Sequence, residues 1–254
     1  WFKEGSLPVV VNGITHGLYI VGQMFLDSED KLIIPDLIWE NYKLVFKHAS
    51  LETFETFSSG GFNVAGLRDK LVGTDKKVVL LNFPNNPTGY TPTDSEVEKI
   101  VSVLKEASLR CEVVVILDDA YAGLVYENGF KGSLFSKLVD SNLVVVKIDG
   151  ITKEMYAWGL RVGFVTYGGT GLNYKELENK TAGIIRGSIS NVCTISQQMA
   201  LNCLESSSFS LEKEKNYLIL KERYFKVKEM IARYSLEALP FNSGYFMCVR
   251  VVDA

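Results

Sequence analysis

Apolar positions along this chain follow two rhythms. Mostly apolar stretches of four to six residues occur at 31–34, 78–82, 113–117, 143–148 and 163–167, the length of buried strands. Between and after them, 13–25, 38–46, 94–107, 195–204 and 210–234 space their apolar residues at helical intervals. Thr93-Asp94-Ser95-Glu96 marks the start of one of these helices with a capping sequence. Short strands interleaved with amphipathic helices predict an α/β protein with a mainly parallel sheet. The stretch 210–234 is dense in Lys, Glu, Leu and Ile and reads as one long helix leading out of the main domain. A turn at 240–244 and a strand-like run from Tyr245 to Val251 follow it. The expected division is a large domain over 1–205, then 206–254 as a linker helix and the beginning of a smaller α+β domain.

At 254 residues and 47% hydrophobic content the chain can bury a sizeable core. Its net charge of −3, with basic residues dispersed, argues against nucleic acid as the main partner. No apolar run approaches the roughly 18 residues that would span a bilayer, and no signal peptide is evident. Cys111, Cys193, Cys203 and Cys248 lie far apart, and the histidines are His16 and His48 alone, so no metal-ligand spacing exists. Unpaired cysteines fit a reduced, cytoplasmic protein. The chain opens at Trp1 without an initiator methionine and stops at Ala254 just after a strand-like run, so both ends read as cut from a longer polypeptide.

Three segments carry chemistry. Lys153 follows Gly150-Ile151-Thr152 just after the apolar run 143–148, with Arg161 eight residues on in Gly159-Leu160-Arg161-Val162-Gly163. A lysine at the end of a buried strand beside a fixed cation suits a phosphate-bearing carbonyl cofactor, although most lysines are solvated surface charges. Upstream, 82–89 (Asn-Phe-Pro-Asn-Asn-Pro-Thr-Gly) joins a strand to a helix. Two X-Pro bonds there would hold an amide rigidly at a strand's carboxyl end, where open α/β sheets place ligands. Third, Asp118-Asp119-Ala120-Tyr121 follows five apolar residues. Either acid would serve as a helix cap, or as a carboxylate facing a pyridinium nitrogen.

Taken in order, NNPTG, DDAY and TK followed by GLRVGF resemble the fold type I pyridoxal-phosphate-dependent aminotransferases of class I/II, the aspartate aminotransferase-like group. The spacings of 32 residues from Asn86 to Asp118, 35 from Asp118 to Lys153 and 8 from Lys153 to Arg161 agree with that group. The resemblance covers roughly residues 8–254 and implies a three-layer α/β/α large domain. It further implies that Lys153 holds pyridoxal 5′-phosphate as a Schiff base and shuttles a proton between the substrate Cα and the cofactor. Such an amine needs a depressed pKa. By the same resemblance Asp118 pairs with the pyridine nitrogen, Asn86 and Tyr121 hydrogen-bond the phenolic oxygen, and Arg161 contacts the phosphate. Gly13, Ile14 and Thr15 match the phosphate cup at a helix start. Trp39 matches the aromatic that stacks on the ring, although an isolated Trp is more often core or interface. The implied cis peptide is Asn86-Pro87.

The group often has a phosphate-binding serine where this chain has Gly150, and Thr152 is the hydroxyl that would replace it. Its α-carboxylate arginine, a substrate-shielding segment and a partner tyrosine match nothing within these residues. Ile184 to Asn191 resembles the stretch that reaches across the dimer in aspartate aminotransferases, so Arg186 would bind a side-chain carboxylate. The alternative is a surface arginine at a helix terminus. His16 reads as structural and His48 as exposed at a helix end.

The resemblance therefore implies a transaminase acting on an amino acid and a 2-oxo acid, with Trp39, Asn86 and Arg186 at the substrate. An aspartate-like donor comes first and an aromatic or neutral one next. It also implies a homodimer with shared sites. A pyridoxal-phosphate C–S β-lyase and the aminotransferase-like sensor domain of a transcription regulator are the alternatives. Residues 1–254 alone are expected to bind cofactor weakly and turn over negligibly.

Overall fold

A computed structural model describes residues 5–251, so Trp1 and Ala254, read as cut ends, lie outside the described residues. The chain runs β1 (Val9–Val11), α1 (Ile14–Phe25), β2 (Lys31–Pro35), α2 (Tyr42–Val45) and β3 (Ser50–Phe54), then a small hairpin of β4 (Phe57–Ser58) and β5 (Gly61–Phe62). It continues through α3 (Val64–Lys70), β6 (Lys77–Asn82), α4 (Asp94–Ser108), β7 (Val113–Asp118), α5 (Phe135–Leu138), β8 (Val144–Gly150) and α6 (Ile151–Glu154). After a 3-10 turn at Trp158–Leu160 come β9 (Gly163–Gly168), α7 (Tyr174–Ser188), α8 (Thr194–Glu205) and α9 (Phe209–Arg233).

Seven strands form one mixed sheet in the order β1-β9-β8-β7-β6-β2-β3. The pairs from β8 to β3 are parallel, whereas β9 runs antiparallel to both β8 and β1. Alternation along each strand divides the core in two. Val113, Val115 and Leu117 of β7 pack on one face with α3, α4 and α5. Val114 and Ile116 pack on the other with α1, α2 and α7. Helices on both faces explain why the central strands are apolar throughout. This is the expected three-layer α/β/α arrangement.

Four expectations change. The helix foreseen over 38–46 shrinks to Tyr42–Val45, because 39–42 and 40–43 close as i→i+3 turns that leave Trp39 outside it. No extended strand forms over 245–251. Only an isolated bridge pairs Ala238 with Val249 there, while Tyr245 and Phe246 turn their rings onto Tyr121. Neither Asp118 nor Asp119 caps a helix, since turns follow them. His48 is partly buried, not exposed, within 3.2 Å of the Gly22 carbonyl.

Helix α9 is bound to the sheet domain by few contacts. Tyr224 is its one buried residue among the described residues. Its hydroxyl donates to Glu127 at 2.7 Å, and its ring packs at a tilt on Tyr126 and edge-on to Phe241. Lys228 pairs with the same Glu127, and Tyr217 donates to the Val125 carbonyl. Removing a buried aromatic costs about 3–5 kcal/mol. Tyr224→Ala is therefore expected to raise amide exchange and proteolysis across α9 by a factor of ten or more, with protection in β6, β7 and β8 unchanged.

Candidate active site

Strand register gathers the chemistry. Val11 pairs with Gly163, and Gly163 with Gly150, so the ends of β1, β9 and β8 share one row. Asp118 pairs with Asn82 and with Ile148, two residues before Gly150, which continues the same sheet edge through β7 and β6. Each segment that leaves this row contributes to one cavity of about 320 Å³. It is lined by Ile14, Thr15, Trp39, Tyr42, Asn82, Asn86, Asp118, Ala120, Tyr121, Thr152, Lys153, Trp158, Arg161 and Phe246. Lys153 and Arg161 meet because the antiparallel β8–β9 pair returns the chain to the same sheet edge.

Lys153 lies on the single turn α6. Its Nζ is 5.8 Å from the centre of the Tyr121 ring and 5.5 Å from that of Trp158. Partial burial first, and the Arg161 guanidinium second, hold the amine below its ordinary range. Asp118 is buried. Its Oδ2 accepts from the Tyr42 hydroxyl at 2.5 Å and its Oδ1 from the Ala120 N–H at 3.1 Å. Burial pushes its carboxyl up to about 6, against the pull of those two donors. Asn82 donates to the Asp118 carbonyl at 2.8 Å and accepts from the Asn86 N–H at 2.8 Å. The Asn86 amide in turn donates to the Tyr121 hydroxyl oxygen at 3.4 Å. Burial pushes that phenol up to about 12. Both Phe83-Pro84 and Asn86-Pro87 are cis.

At the other end of the cavity, Gly13 begins α1 with φ +79°, and a Cβ there would stand 2.4 Å from the Arg161 guanidinium. Only glycine lets the arginine lie across the start of the helix. The first turn of α1 has no side-chain cap, so its N–H groups are available to an anion. Thr152 Oγ1 is buried with no hydrogen-bond partner among the described residues, an acceptor-donor waiting for a ligand group. Gly150 has no room for the serine seen in the resembling group. Its Cβ would lie 2.8 Å from the Val162 carbonyl oxygen and 2.9 Å from Gly163 Cα. A hydroxyl can come only from Thr152 at this point. These donors, one amine and one buried carboxylate fit a phosphorylated pyridine aldehyde.

Asp119, the alternative acid, points away from the cavity. Arg186 is exposed on α7, donates to Ser190 at 2.7 Å and lies outside the cavity lining. His16 accepts from the Asn12 N–H and contacts Ser188, a structural arrangement. Tyr42, Asn82, Trp158 and Phe246 escaped the sequence reading. Asn82 opened the quoted loop and was the most legible of them, whereas Tyr42 looked like any apolar helix residue.

The family model for aminotransferase class I and II matches residues 2–254, and the chain belongs to that family. The chain is 28% identical over 260 residues to an aspartate aminotransferase of Thermotoga maritima, covering 98% of this chain and 63% of that protein. It is 28% identical over 211 residues to one of Bacillus subtilis, covering 82% and 51%. A solved aminotransferase of Anaerococcus prevotii superposes with a TM-score of 0.83 at 25% identity, over 95% of this chain and 63% of that one. The chain thus spans about half to two thirds of the length of these relatives. No helix among the described residues is long and apolar enough to cross a membrane.

The second acid provides a pH test. Asp119 is buried with Oδ2 unpartnered among the described residues, and burial pushes its carboxyl up to about 7. Its ordinary value is about 3.9, so between these limits the folded chain holds a proton that the unfolded chain releases. Stability must then fall as pH rises through that window, by at most about 1.4 kcal/mol per pH unit for this group. Asp119→Asn is expected to flatten the decline in urea midpoint between pH 5 and 7. Asp118, with its carboxyl also raised, keeps part of the slope.

Proposed function

We propose that this chain is the cofactor-binding part of a pyridoxal-phosphate-dependent aminotransferase that moves an amino group between an amino acid and a 2-oxo acid. The observation that carries this reading is the meeting of three groups in one cavity. They are an amine held below its ordinary range, a buried carboxylate, and a guanidinium laid across an uncapped helix start. When bound, pyridoxal phosphate supplies the electron sink for carbanion chemistry.

The chain's own residues then divide the work. Lys153 Nζ anchors the cofactor and, as a free base, takes and returns the proton at the substrate Cα. Asp118 holds the proton of the ring nitrogen by offering a buried negative charge. Asn86 and Tyr121 donate to the phenolic oxygen, and Trp39 covers the ring. The Ile14 and Thr15 backbone, Thr152 and Arg161 bind the phosphate, with Gly13 leaving space for the arginine. Residues 1–205 form the large domain and 206–254 the linker and the beginning of a second. The enzyme is a cytoplasmic homodimer.

An aspartate-like donor is the first substrate assignment. It rests on Arg186, which is exposed and outside its own cavity, as a residue serving a partner's site must be. A guanidinium there suits a second carboxylate.

Two outcomes test this reading. In the full-length protein, borohydride reduction after incubation with pyridoxal phosphate should label Lys153, and Lys153→Ala should abolish the label with turnover falling by about 10⁴-fold, as for lost acid–base and covalent roles. An adduct persisting in Lys153→Ala would remove the assignment. In the full-length enzyme, Arg186→Leu should raise KM for dicarboxylic donors about 10- to 100-fold and leave neutral donors unaffected. Pyruvate and ammonia release without amino transfer would point to lyase chemistry instead.

A further inference from the structure

Trp158 is 47% exposed, yet its backbone is held in a tight turn. Two non-glycine residues in the left-handed region flank that turn, Tyr156 at φ +55° and Arg161 at φ +53°. Such conformations persist where the surrounding structure enforces them, and they gather at ligand sites. What this turn presents is the face of an indole. Lys153 Nζ lies 5.5 Å from its centre, and the Tyr156 ring packs against it at 6.0 Å and 47°. On one side of the indole is the cavity of about 320 Å³ that holds Lys153. On the other is a groove of about 550 Å³ between α9 and residues 241–247, whose walls include Tyr126, Leu220, Tyr224 and Phe241. Trp158 and Phe246 alone line both spaces. Phe246 is fixed there, since its ring meets Tyr121 edge-on and its carbonyl oxygen would stand 2.0 Å from a Cβ on Gly89. A volume near 320 Å³ is at the small end for a ligand site, and this one has to hold a cofactor and an amino acid together.

We propose that Trp158 is a specificity-determining partition: its indole closes the Lys153 cavity off from the aromatic groove and restricts the amino donor to a short side chain. This inference rests on the aminotransferase reading and deepens its substrate assignment, because an aspartate-like side chain is short. A donor that exchanges a proton with Lys153 has to bring its Cα within reach of Nζ. Its side chain then starts beside the indole, and toward α9 the indole fills its path. A bulky ring placed there would overlap Trp158, a clash that no contact inside the small cavity offsets. With the indole removed the two spaces join, and an aromatic side chain gains the apolar walls of the groove.

Trp158→Ala and Trp158→Phe in the full-length enzyme test the partition. The quantity to follow is the ratio of kcat/KM for phenylalanine to that for aspartate, which a uniform change in activity does not move. Trp158→Ala should raise this ratio about tenfold or more, the scale on which apolar pockets discriminate by side-chain size, with Trp158→Phe between it and the wild type. Calorimetry on the pyridoxal-phosphate-loaded proteins gives a readout free of turnover. There, 3-phenylpropionate should bind Trp158→Ala about tenfold more tightly than the wild type, and succinate should gain nothing. Thermal denaturation checks folding, and Trp158→Phe carries the same comparisons if the alanine variant is unfolded. An unchanged ratio in the folded variants, or an equal gain for succinate, would reduce Trp158 to a surface ring. A wild type that transfers no amino group from either donor would instead remove the aminotransferase reading, while the 3-phenylpropionate comparison would still decide the partition.

Discussion

The pairing register across β1, β9, β8, β7 and β6 is the constraint on which the site depends. The ends of β1, β8, β7 and β6 and the start of β9 lie along one sheet edge, within two residues of each other in register, and the segments that leave or enter them lie on that side. A slip of one residue in β8 would turn every side chain of that strand to the opposite face. It would also separate Gly150 from Gly163, and with them the Lys153 turn from Arg161. Backbone pairing, buried on both faces by two helix layers, makes such a slip costly. The geometry of the cavity is therefore tied to the stability of the sheet.

Burial acts in opposite directions on the groups that the row assembles. It pushes the Asp118 carboxyl up and draws the Lys153 amine down, each toward neutrality. Tyr42, Ala120 and the open helix start of α1 work against that tendency by supplying donors aimed at negative charge. A site of this kind is poised to receive a ligand with an anionic end and a protonable ring. The unpartnered Thr152 hydroxyl and the space left by Gly13 point the same way.

Much of this was legible beforehand, and what was missed has physical causes. The five strands were readable because their stretches are mostly apolar, a consequence of burial on both faces. Strands β1 and β3 were not, being short and lying at the edges with mixed burial. Helix α7 buries only Thr181 and Ile185, too sparse a stripe to stand out among its lysines and glutamates. The helix expected over 38–46 carried a sound apolar pattern, but its first residues are used as turns that hold Trp39 toward the cavity.

By itself the sequence determined where the chemistry would sit. Lys153, Arg161, Asn86 and the Asp118–Asp119 pair stand at the ends of apolar runs, and strand ends with their glycines and prolines are local properties of the chain. Tertiary structure decided which acid faces the cavity, since Asp118 and Asp119 are equivalent in pattern and only sheet pairing and the Tyr42 hydroxyl distinguish them. It also decided that Gly150 cannot carry a side chain, because the atoms that exclude it belong to Val162 and Gly163, where the chain enters β9. Contacts between residues 76 apart, such as Tyr42 and Asp118, have no local signature: they exist only once the sheet has brought α2 over the end of β7.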